Sequence, residues 1–295
     1  MIVEPRIVIN SLPKAGTNLV SKLYDLAGLS WNHVCLDSRL ILRANPWTRA
    51  WRKLRQCHGN EVLVGIGAPV SVPASLVERQ FQRLAPRQYL KAHVGYTTAI
   101  ARMAHKHEIV RVVVIRDPRD VIVSQVHYAL NTPRHFLHRA FTALGDREQC
   151  FNAAIDGGYF SGVFLENIRT RCLSLDPWLR YPFTMVVRFE DLVGAGGGGD
   201  EGLQIETIRK LLRSSRIDKT EDEVRAIARE LYGPGKRTFR KGQIGEAWNE
   251  MTPAQLVRMD EMLGDIYAQW GYAPSGARTD SAGSAQPRSA AIKSP

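Results

Sequence analysis

The 295-residue sequence lacks several patterns that would indicate a metal site or a membrane location. Its four cysteines show neither C-x-x-C nor paired metal-ligand spacing, a distribution that favours reduced structural thiols in a cytoplasmic protein. No apolar run reaches the roughly 18 residues that a membrane-spanning helix needs, and no signal peptide precedes the first predicted strand. We therefore expect a cytoplasmic protein with no membrane span and no metal site.

Two further absences concern nucleotides and nucleic acids. The sequence contains no G-x-x-x-x-G-K-S/T loop of the common nucleotide-binding type, and no RNP-like aromatic pattern or zinc-ligand spacing of nucleic-acid-binding modules. It does carry an excess of basic residues, with a formal net charge of +11. This charge favours an anionic partner, which could be nucleic acid, an acidic membrane surface or a highly charged cofactor. Charge alone does not choose among these three.

The hydrophobic content of 44% fits a globular protein with a substantial core, and runs rich in β-branched residues alternate with helical patterns. Strands are predicted at Arg6–Asn10, Val62–Ile66, Gln88–Ala92, Arg111–Ile115 and Thr184–Phe189. Helices are predicted after Thr17, near Ser75, near Thr97, after Pro118 and after Glu201, and at Glu206–Arg213, Glu221–Tyr232 and Pro253–Trp270. The alternation predicts an α/β fold with a mainly parallel sheet and right-handed crossovers.

Three segments fall outside this alternation. Gly194–Asp200 reads as a flexible connection, because no lysine and hydroxyl pair follows its glycines. Trp31–Asn60 combines tryptophans with basic residues and has no clear period, so it could be a lid over a bound substrate, a docking patch for a nucleic acid or membrane surface, or a long loop packed on the body. From residue 273 the composition turns to Ser, Ala, Gly and Pro, so we expect one domain over residues 1–272 and a disordered tail over 273–295.

Two strand-to-helix junctions carry the residues of an anion site. Ser11-Leu-Pro-Lys-Ala-Gly-Thr17 follows the first predicted strand, and Arg116-Asp-Pro-Arg-Asp-Val-Ile-Val-Ser124 follows the fourth. In a parallel sheet ligands bind outside the carboxyl ends of the strands, where helix N-termini present backbone N–H groups to anions. Lys14 and Thr17 add a cation and a hydroxyl at the first junction, and so do Arg116 and Ser124 at the second. Two anion sites suggest a ligand with two phosphate groups.

The first junction resembles the 5′-phosphosulfate loop of sulfotransferases that use 3′-phosphoadenylyl sulfate (PAPS), typically Tyr-Pro-Lys-Ser-Gly-Thr-Thr-Trp. The second resembles that family's 3′-phosphate segment, Arg-Asn-Pro-Arg-Asp, with a serine eight positions after the arginine. Gln88-Tyr-Leu-Lys-Ala-His93 is similar to the strand end Lys-Thr-His that carries the family's catalytic base. Arg240-Lys-Gly-Gln-Ile-Gly-Glu-Ala-Trp-Asn-Glu-Met-Thr252 resembles the segment Arg-Lys-Gly-x-x-Gly-Asp-Trp-Lys-Asn-x-Phe-Thr, which closes over the 3′-phosphate. These matches occur in the family's order and span residues 6–252.

The resemblance implies a three-layer, P-loop-like α/β fold with a central sheet flanked by helices. It also implies a sulfotransferase with PAPS as co-substrate, adenosine 3′,5′-bisphosphate (PAP) as product and no metal. The residues that it assigns to the cofactor are Lys14, Ala15, Gly16, Thr17, Asn18, Arg116, Ser124, Phe189, Arg240, Lys241 and Gly242. The sequence departs from the family's pattern at Ala15 and Asn18, which replace hydroxyl residues, and at Leu19 and Phe189, which stand where an adenine-packing tryptophan and a tyrosine are common.

The resemblance also assigns the chemistry of the transfer. His93 would take the proton of the acceptor, Lys14 would stabilise the leaving phosphate oxygen, and Lys91 could hold the sulfonyl group. The acceptor would be a small molecule, glycan or lipid with a hydroxyl or amine, and nucleic acid is not expected. The other histidines, among them His105, His107, His127, His135 and His138, are expected to be exposed or structural, and Arg119 and Asp120 to be ordinary charges of a first helical turn.

Two alternatives remain open from the sequence. A nucleotide or small-molecule kinase of the same fold would also need a lysine-bearing loop, although the G-K-S/T order is missing. A basic nucleic-acid-binding module would explain the net charge of +11. Neither the acceptor nor the oligomeric state can be read from the residues.

Overall fold

A computed structural model describes residues 4–38, 60–233 and 242–278. The strands are β1 (Arg6–Ser11), β2 (Ser30–Leu36), β3 (Glu61–Val64), β4 (Val70–Pro73), β5 (Gln88–Ala92), β6 (Val110–Ile115), β7 (Gly158–Phe160), β8 (Val163–Leu165) and β9 (Thr184–Arg188). The α-helices are α1 (Thr17–Leu26), α2 (Ala74–Gln82), α3 (Thr98–Lys106), α4 (Pro118–Leu130), α5 (His138–Ala143), α6 (Arg147–Asp156), α7 (Ile168–Arg180), α8 (Glu201–Ser214), α9 (Glu221–Leu231), α10 (Ala247–Glu250) and α11 (Pro253–Trp270). Short 3₁₀ turns lie at Ala195–Gly197 and Ser275–Arg278.

The chain divides into two compact units. The first unit consists of Met1–Arg116 with Ser174–Ile244, and the second of Asp117–Leu173 with Gly245–Pro295. None of the helices among the described residues is both long enough and apolar enough to cross a bilayer.

The first unit is built on a five-stranded parallel sheet in the order β2-β5-β1-β6-β9. Strand β1 is central, with Ile9 opposite Lys91 of β5 on one side and Val112 of β6 on the other. Its residues are hydrophobic on both faces, as expected for a parallel strand that is covered from both sides. After β1 the chain forms β2 and β5 on one side of it, and later β6 and β9 on the other. The direction in which strands are added therefore reverses beside β1.

Helices cover both faces of this sheet. On one face Ile7, Ile9, Tyr89, Val112 and Val114 join the buried side chains of α1, α8 and α9 in a single hydrophobic cluster. On the other face a small apolar cavity lies between the strands and helices α2 and α3, and its lining includes Val8, Phe81, Val94, Ile100 and Val113. This arrangement confirms the predicted three-layer α/β fold.

The strands differ from the sequence prediction in several places, and β4, β7 and β8 are short strands that were not predicted. The predicted strand Val62–Ile66 forms as β3 but pairs antiparallel with β4. Its side chains alternate, with Val62 and Val64 buried and Glu61 and Leu63 exposed. This alternation is typical of an antiparallel sheet that has one face on the core and one face in solvent. Strand β2 was not predicted, because it begins the segment Trp31–Asn60 that shows no period. It is an edge strand whose pairing shifts between Trp31 and Cys35, and residues 39–59 of that segment lie outside the described residues.

The glycine-rich run after β9 also differs from its prediction as a flexible connection. Its residues form a closed turn in which the N–H groups of Gly197 and Gly199 both donate to the carbonyl of Gly194, at 3.1 and 2.8 Å. Gly197 is buried. The absence of side chains here permits close packing of the turn.

In the second unit two charged residues of α4 are buried, although the sequence suggested ordinary charges of a first turn. Arg119 is 2% exposed, and its guanidinium lies over the rings of Trp248 and Tyr267, at 4.7 and 4.4 Å from their centres. It also pairs with Asp117 at 2.8 Å. Asp120 is 1% exposed and accepts two backbone hydrogen bonds, from Gly245 and Ala247. Burial is tolerated because Arg119 forms ion pairs with Asp117 and Asp260, and because Asp120 accepts these two hydrogen bonds.

Candidate active site

The turn between β1 and α1 has a backbone suited to an anion. Lys14 and Gly16 adopt positive φ values of 75° and 116°, which turn the chain sharply between the strand and the helix. The Gly16 carbonyl accepts the N–H groups of Leu19 and Val20, so α1 begins directly after it. The helix has no side-chain cap and no acidic residue in its first turn. Its first N–H groups and the positive end of its dipole are therefore available to a negatively charged ligand.

A hydroxyl pair joins the end of β1 to the first turn of α1. The Ser11 and Thr17 hydroxyl oxygens are 2.5 Å apart, and the Ser11 hydroxyl also lies 2.8 Å from the Leu12 carbonyl. Each hydroxyl has one proton to donate. Because the Ser11 proton is donated to the Leu12 carbonyl, Thr17 donates to the Ser11 oxygen, and this bond ties the first turn of α1 to the end of β1.

Lys91 at the end of β5 reaches the first turn of α1. Its Nζ donates to the Asn18 side-chain carbonyl at 2.8 Å and lies 4.5 Å from the centre of the Trp31 ring. The cation is thus held between an amide oxygen and an aromatic face. The substitution of asparagine for the family's threonine at position 18 has a visible structural consequence here, because an amide oxygen now accepts from this lysine.

His93 follows β5, and its ring is fixed by the backbone of β1. The Nδ1 atom lies 2.9 Å from the Ser11 carbonyl oxygen. A carbonyl can only accept a hydrogen bond, so Nδ1 carries the proton and the lone pair of the neutral ring is on Nε2. A histidine held in this tautomer can accept a proton at Nε2.

Phe189 connects the first loop to the predicted 3′-phosphate residues. A Cβ atom at Gly16 would lie 2.8 Å from the Phe189 ring, so the loop packs closely on this side chain. The Arg116 guanidinium lies 4.2 Å from the centre of the same ring and donates to the Gln243 carbonyl at 2.9 Å. Arg116 is only 4% exposed. Gly242, the last residue of the predicted Arg-Lys-Gly group, adjoins Gln243 and has a positive φ of 63°.

The first unit therefore brings together most of the predicted site residues near the carboxyl ends of β1, β5, β6 and β9. These are Lys14, Ala15, Gly16, Thr17, Asn18, Lys91, His93, Arg116, Phe189 and Gly242. Ser124 lies on α4 in the second unit, and Arg240 and Lys241 lie outside the described residues. Three cations, Lys14, Lys91 and Arg116, lie at or just after the carboxyl ends of β1, β5 and β6 and favour a ligand with several negative charges.

The second junction differs in one respect from the sequence expectation of an open helix N-terminus. The Asp117 side chain caps α4 by accepting the backbone N–H of Arg119 at 2.9 Å, and Pro118 has no N–H. A carboxylate already occupies the place of an anion there. An anion at this junction would have to rely on side-chain donors such as Arg116.

Several contacts of the site were not found by sequence reasoning. Ser11 orients His93, Trp31 faces Lys91, and the Gln243 carbonyl accepts from Arg116. For Ser11 the position directly after the first predicted strand was a usable signal. Trp31 and Gln243 gave none, because their contacts join residues that are 60 and 127 positions apart.

Among the described residues, no cluster of three histidine, cysteine, aspartate or glutamate side chains is placed to hold a metal ion. Cys35, Cys150 and Cys172 are not in disulfide bonds. Burial raises the pKa of the Asp191 carboxyl, two residues after Phe189, and Arg188 partly opposes this shift.

A central parallel sheet, with a tight turn between its middle strand and a helix and with a cation at the end of each neighbouring strand, is typical of P-loop-like α/β proteins. The family model described as "Sulfotransferase domain" matches residues 4–194. The chain belongs to the PAPS-dependent sulfotransferases, and the prediction from its sequence is confirmed.

Solved structures show the same fold. The chain is similar to mouse sulfotransferase SULT7A1 complexed with PAP, with 14% sequence identity, a TM-score of 0.58 and coverage of 95% of this chain and 89% of that one. It is also similar to retinol dehydratase in complex with androsterone and inactive cofactor PAP, with 14% identity, a TM-score of 0.53 and coverage of 89% and 80%. A complex of retinol dehydratase with retinol and PAP gives 13% identity, a TM-score of 0.52 and coverage of 89% and 81%. A search of curated proteins gave no match.

Proposed function

We propose that this sulfotransferase moves the sulfuryl group of PAPS to a hydroxyl or amine of a small-molecule acceptor, with His93 as general base. The observation that carries the proposal is the link between the ends of β1 and β5. His93 is bound to the Ser11 carbonyl, and Lys91 is bound to Asn18 in the first turn of α1. These bonds bring a base and a cation to the anion-binding turn.

The donor would bind along the carboxyl ends of the central strands. The turn from Lys14 to Asn18 would hold the 5′-phosphosulfate, through backbone N–H groups, the Lys14 ammonium and the Thr17 hydroxyl. Arg116 and Gly242 would hold the 3′-phosphate, and the Phe189 ring would contact the adenine. Ser124, Arg240 and Lys241 are assigned to the 3′-phosphate from the family resemblance alone.

The transfer would proceed by in-line attack. The acceptor oxygen or nitrogen bonds to sulfur, the bond from sulfur to the bridging phosphate oxygen breaks, and the acceptor's proton passes to Nε2 of His93. Lys14 would stabilise the negative charge that develops on the bridging oxygen, and Lys91 would hold the sulfonyl oxygens. The products are a sulfated acceptor and PAP.

The acceptor class is proposed from the structural relatives. Retinol dehydratase is described in complexes with androsterone and with retinol, which are small molecules with a hydroxyl group. We propose a small-molecule acceptor on this analogy, and we propose that the catalytic domain extends over residues 1–272. Turnover of labelled PAPS with panels of phenols, alcohols, amines, sugars and lipids tests the acceptor class, and exclusive activity on a glycan would contradict it.

The test of the mechanism is His93→Ala, with His105→Ala as the matched control on the exposed end of α3. A general base contributes roughly 10² to 10⁴ in rate, so turnover should fall by at least about a hundredfold. The affinity for PAP, measured by titration calorimetry, should stay within about twofold of the parent, because in this proposal His93 contacts the acceptor and not PAP. Parent-like turnover in His93→Ala would eliminate the base assignment, whereas a loss of PAP binding would place His93 in the cofactor site instead.

A further inference from the structure

The glycine-rich turn after β9 has a tightly packed residue at its centre. Gly197 is buried, and a Cβ atom added to it would lie 2.6 Å from the Val193 side chain and 2.9 Å from the Tyr232 ring. Real Cβ atoms essentially never approach other heavy atoms so closely. Gly197 lies outside the left-handed region of φ, so crowding alone excludes a side chain there. Any larger residue must displace the turn.

The same residue holds the chain segment that follows Gly242. The Gly197 carbonyl accepts the backbone N–H of Ile244 at 3.1 Å. The preceding residue, Gln243, accepts from the Arg116 guanidinium at 2.9 Å. Adjacent residues of this segment are thus bound on one side by the turn and on the other by Arg116, all within the first unit.

Arg116 is in turn fixed relative to the first loop. Its guanidinium stacks on Phe189 at 4.2 Å, and Phe189 packs on Gly16. A continuous set of contacts therefore runs from the turn at Gly197 through Gln243 and Arg116 to the loop that begins α1. The backbone of Gln243 and Ile244 makes two hydrogen bonds, one to Gly197 and one from Arg116. A shift of the Gly197 carbonyl would break the first and alter the second, which orients Arg116.

We propose that Gly197 is a positioning residue for the 3′-phosphate half of the cofactor site. It would act through Ile244 and Gln243 on Arg116, without touching the ligand. This inference rests on the proposed function, in which Arg116 and Gly242 contact the 3′-phosphate. It gives the glycine-rich turn a role in discriminating PAP from nucleotides that lack this phosphate.

The test compares two ligands that differ only in the 3′-phosphate. Dissociation constants for PAP and for adenosine 5′-monophosphate are measured with Gly197→Ala, with Arg116→Ala and with the control Gly264→Ala, where nothing lies within 4 Å of the added Cβ. A lost hydrogen bond corresponds to a few-fold to about tenfold in affinity, so Gly197→Ala should weaken PAP binding by about tenfold. Binding of adenosine 5′-monophosphate should change by less than about twofold, and Gly264→Ala should preserve both constants.

A general loss of stability would give a different result, because it would weaken both ligands equally. Val224→Ala, which trims a buried core residue of α9, provides this comparison. If Gly197→Ala does not fold, Ile244→Pro removes the N–H that donates to Gly197 and leaves the glycines of the turn in place, and it should give the same selective loss of PAP affinity. The decisive quantity is the dissociation constant for adenosine 5′-monophosphate divided by that for PAP. If Arg116→Ala lowers this ratio but the soluble Gly197→Ala or Ile244→Pro variant keeps the parent value, the inference is overturned. An unchanged ratio in Arg116→Ala would overturn the proposed 3′-phosphate site itself.

Discussion

Substitution of Gly16 by alanine tests whether the turn before α1 needs its observed backbone shape. Gly16 has a φ of 116° and a ψ of 11°, a conformation that costs a residue with a side chain about 1–3 kcal/mol. The new Cβ would also lie 2.8 Å from the ring of Phe189, and such overpacking typically costs about 1–3 kcal/mol. We therefore expect a total penalty of about 2–5 kcal/mol, since the turn can relax part of the contact.

This penalty can lower either of two measured quantities, the stability of the protein or its affinity for PAP. If the turn keeps its shape, the strain lowers the free energy of unfolding, which is measured in urea. If the turn relaxes in the free protein, it must return to the strained shape when PAP binds, and the PAP affinity falls instead. The sum of the two losses is the quantity predicted. It should reach at least about 2 kcal/mol, which corresponds to roughly thirtyfold if it appears in affinity alone.

A double-mutant cycle separates the two causes. Phe189→Leu removes the ring that the new Cβ would strike, so in this background Gly16→Ala should retain the backbone penalty and lose most of the steric one. The coupling between the two substitutions should be about 1–2 kcal/mol in favour of the double variant. Parent-like stability together with parent-like PAP affinity in Gly16→Ala would refute the reasoning, and zero coupling would refute its steric part alone.

Two further predictions concern polar contacts. Asn18→Ala removes the acceptor of Lys91, so turnover should fall by about tenfold while the PAP affinity changes less. Asn18→Asp keeps an acceptor for Lys91 and should restore part of the turnover. Equal rates in both variants would argue against this role of Asn18. Glu223 of α9 has its pKa lowered from 4.5 to about 2 by hydrogen bonds to Lys219 and to the capping Thr220. Because the folded-state pKa is depressed, its contribution to stability is complete above pH 4.5 and is lost as the pH falls towards 2. Unfolding curves should therefore show a weaker acid dependence for Glu223→Gln over this range, and an unchanged dependence would contradict the assignment.

The sequence predicted those elements whose patterns are local. Strand β5 formed with the predicted bounds, and so did α11, which begins at Pro253 behind a Thr252 capping box. The predicted junctions after β1 and β6 also formed at the expected positions. In each case a buried apolar run, or a cap and a proline, specifies the element without help from distant residues.

Several features that the sequence did not predict depend on partners far along the chain. Strand β2 lies at the sheet edge with an interrupted register, so it needs β5 to define it and shows little alternation of its own. The burial of Arg119 requires Trp248 and Tyr267, more than 120 residues away, and no local pattern distinguishes such an arginine from an exposed one. The glycine-rich run looked flexible because glycine carries no pattern, although close packing on Tyr232 is what requires it.

The central place of β1 has a consequence for how the protein is made. Its two hydrogen-bonding partners, β5 and β6, are synthesised about 80 and 100 residues later, since β1 ends at Ser11 while they end at Ala92 and Ile115. Until then this apolar strand has no sheet to join, and such long-range parallel pairing is intrinsically slow and exposes the chain to aggregation. We therefore expect a nascent chain that ends before Ile115 to depend on chaperones. The Lys14 turn would acquire its shape only after β6 has left the ribosome.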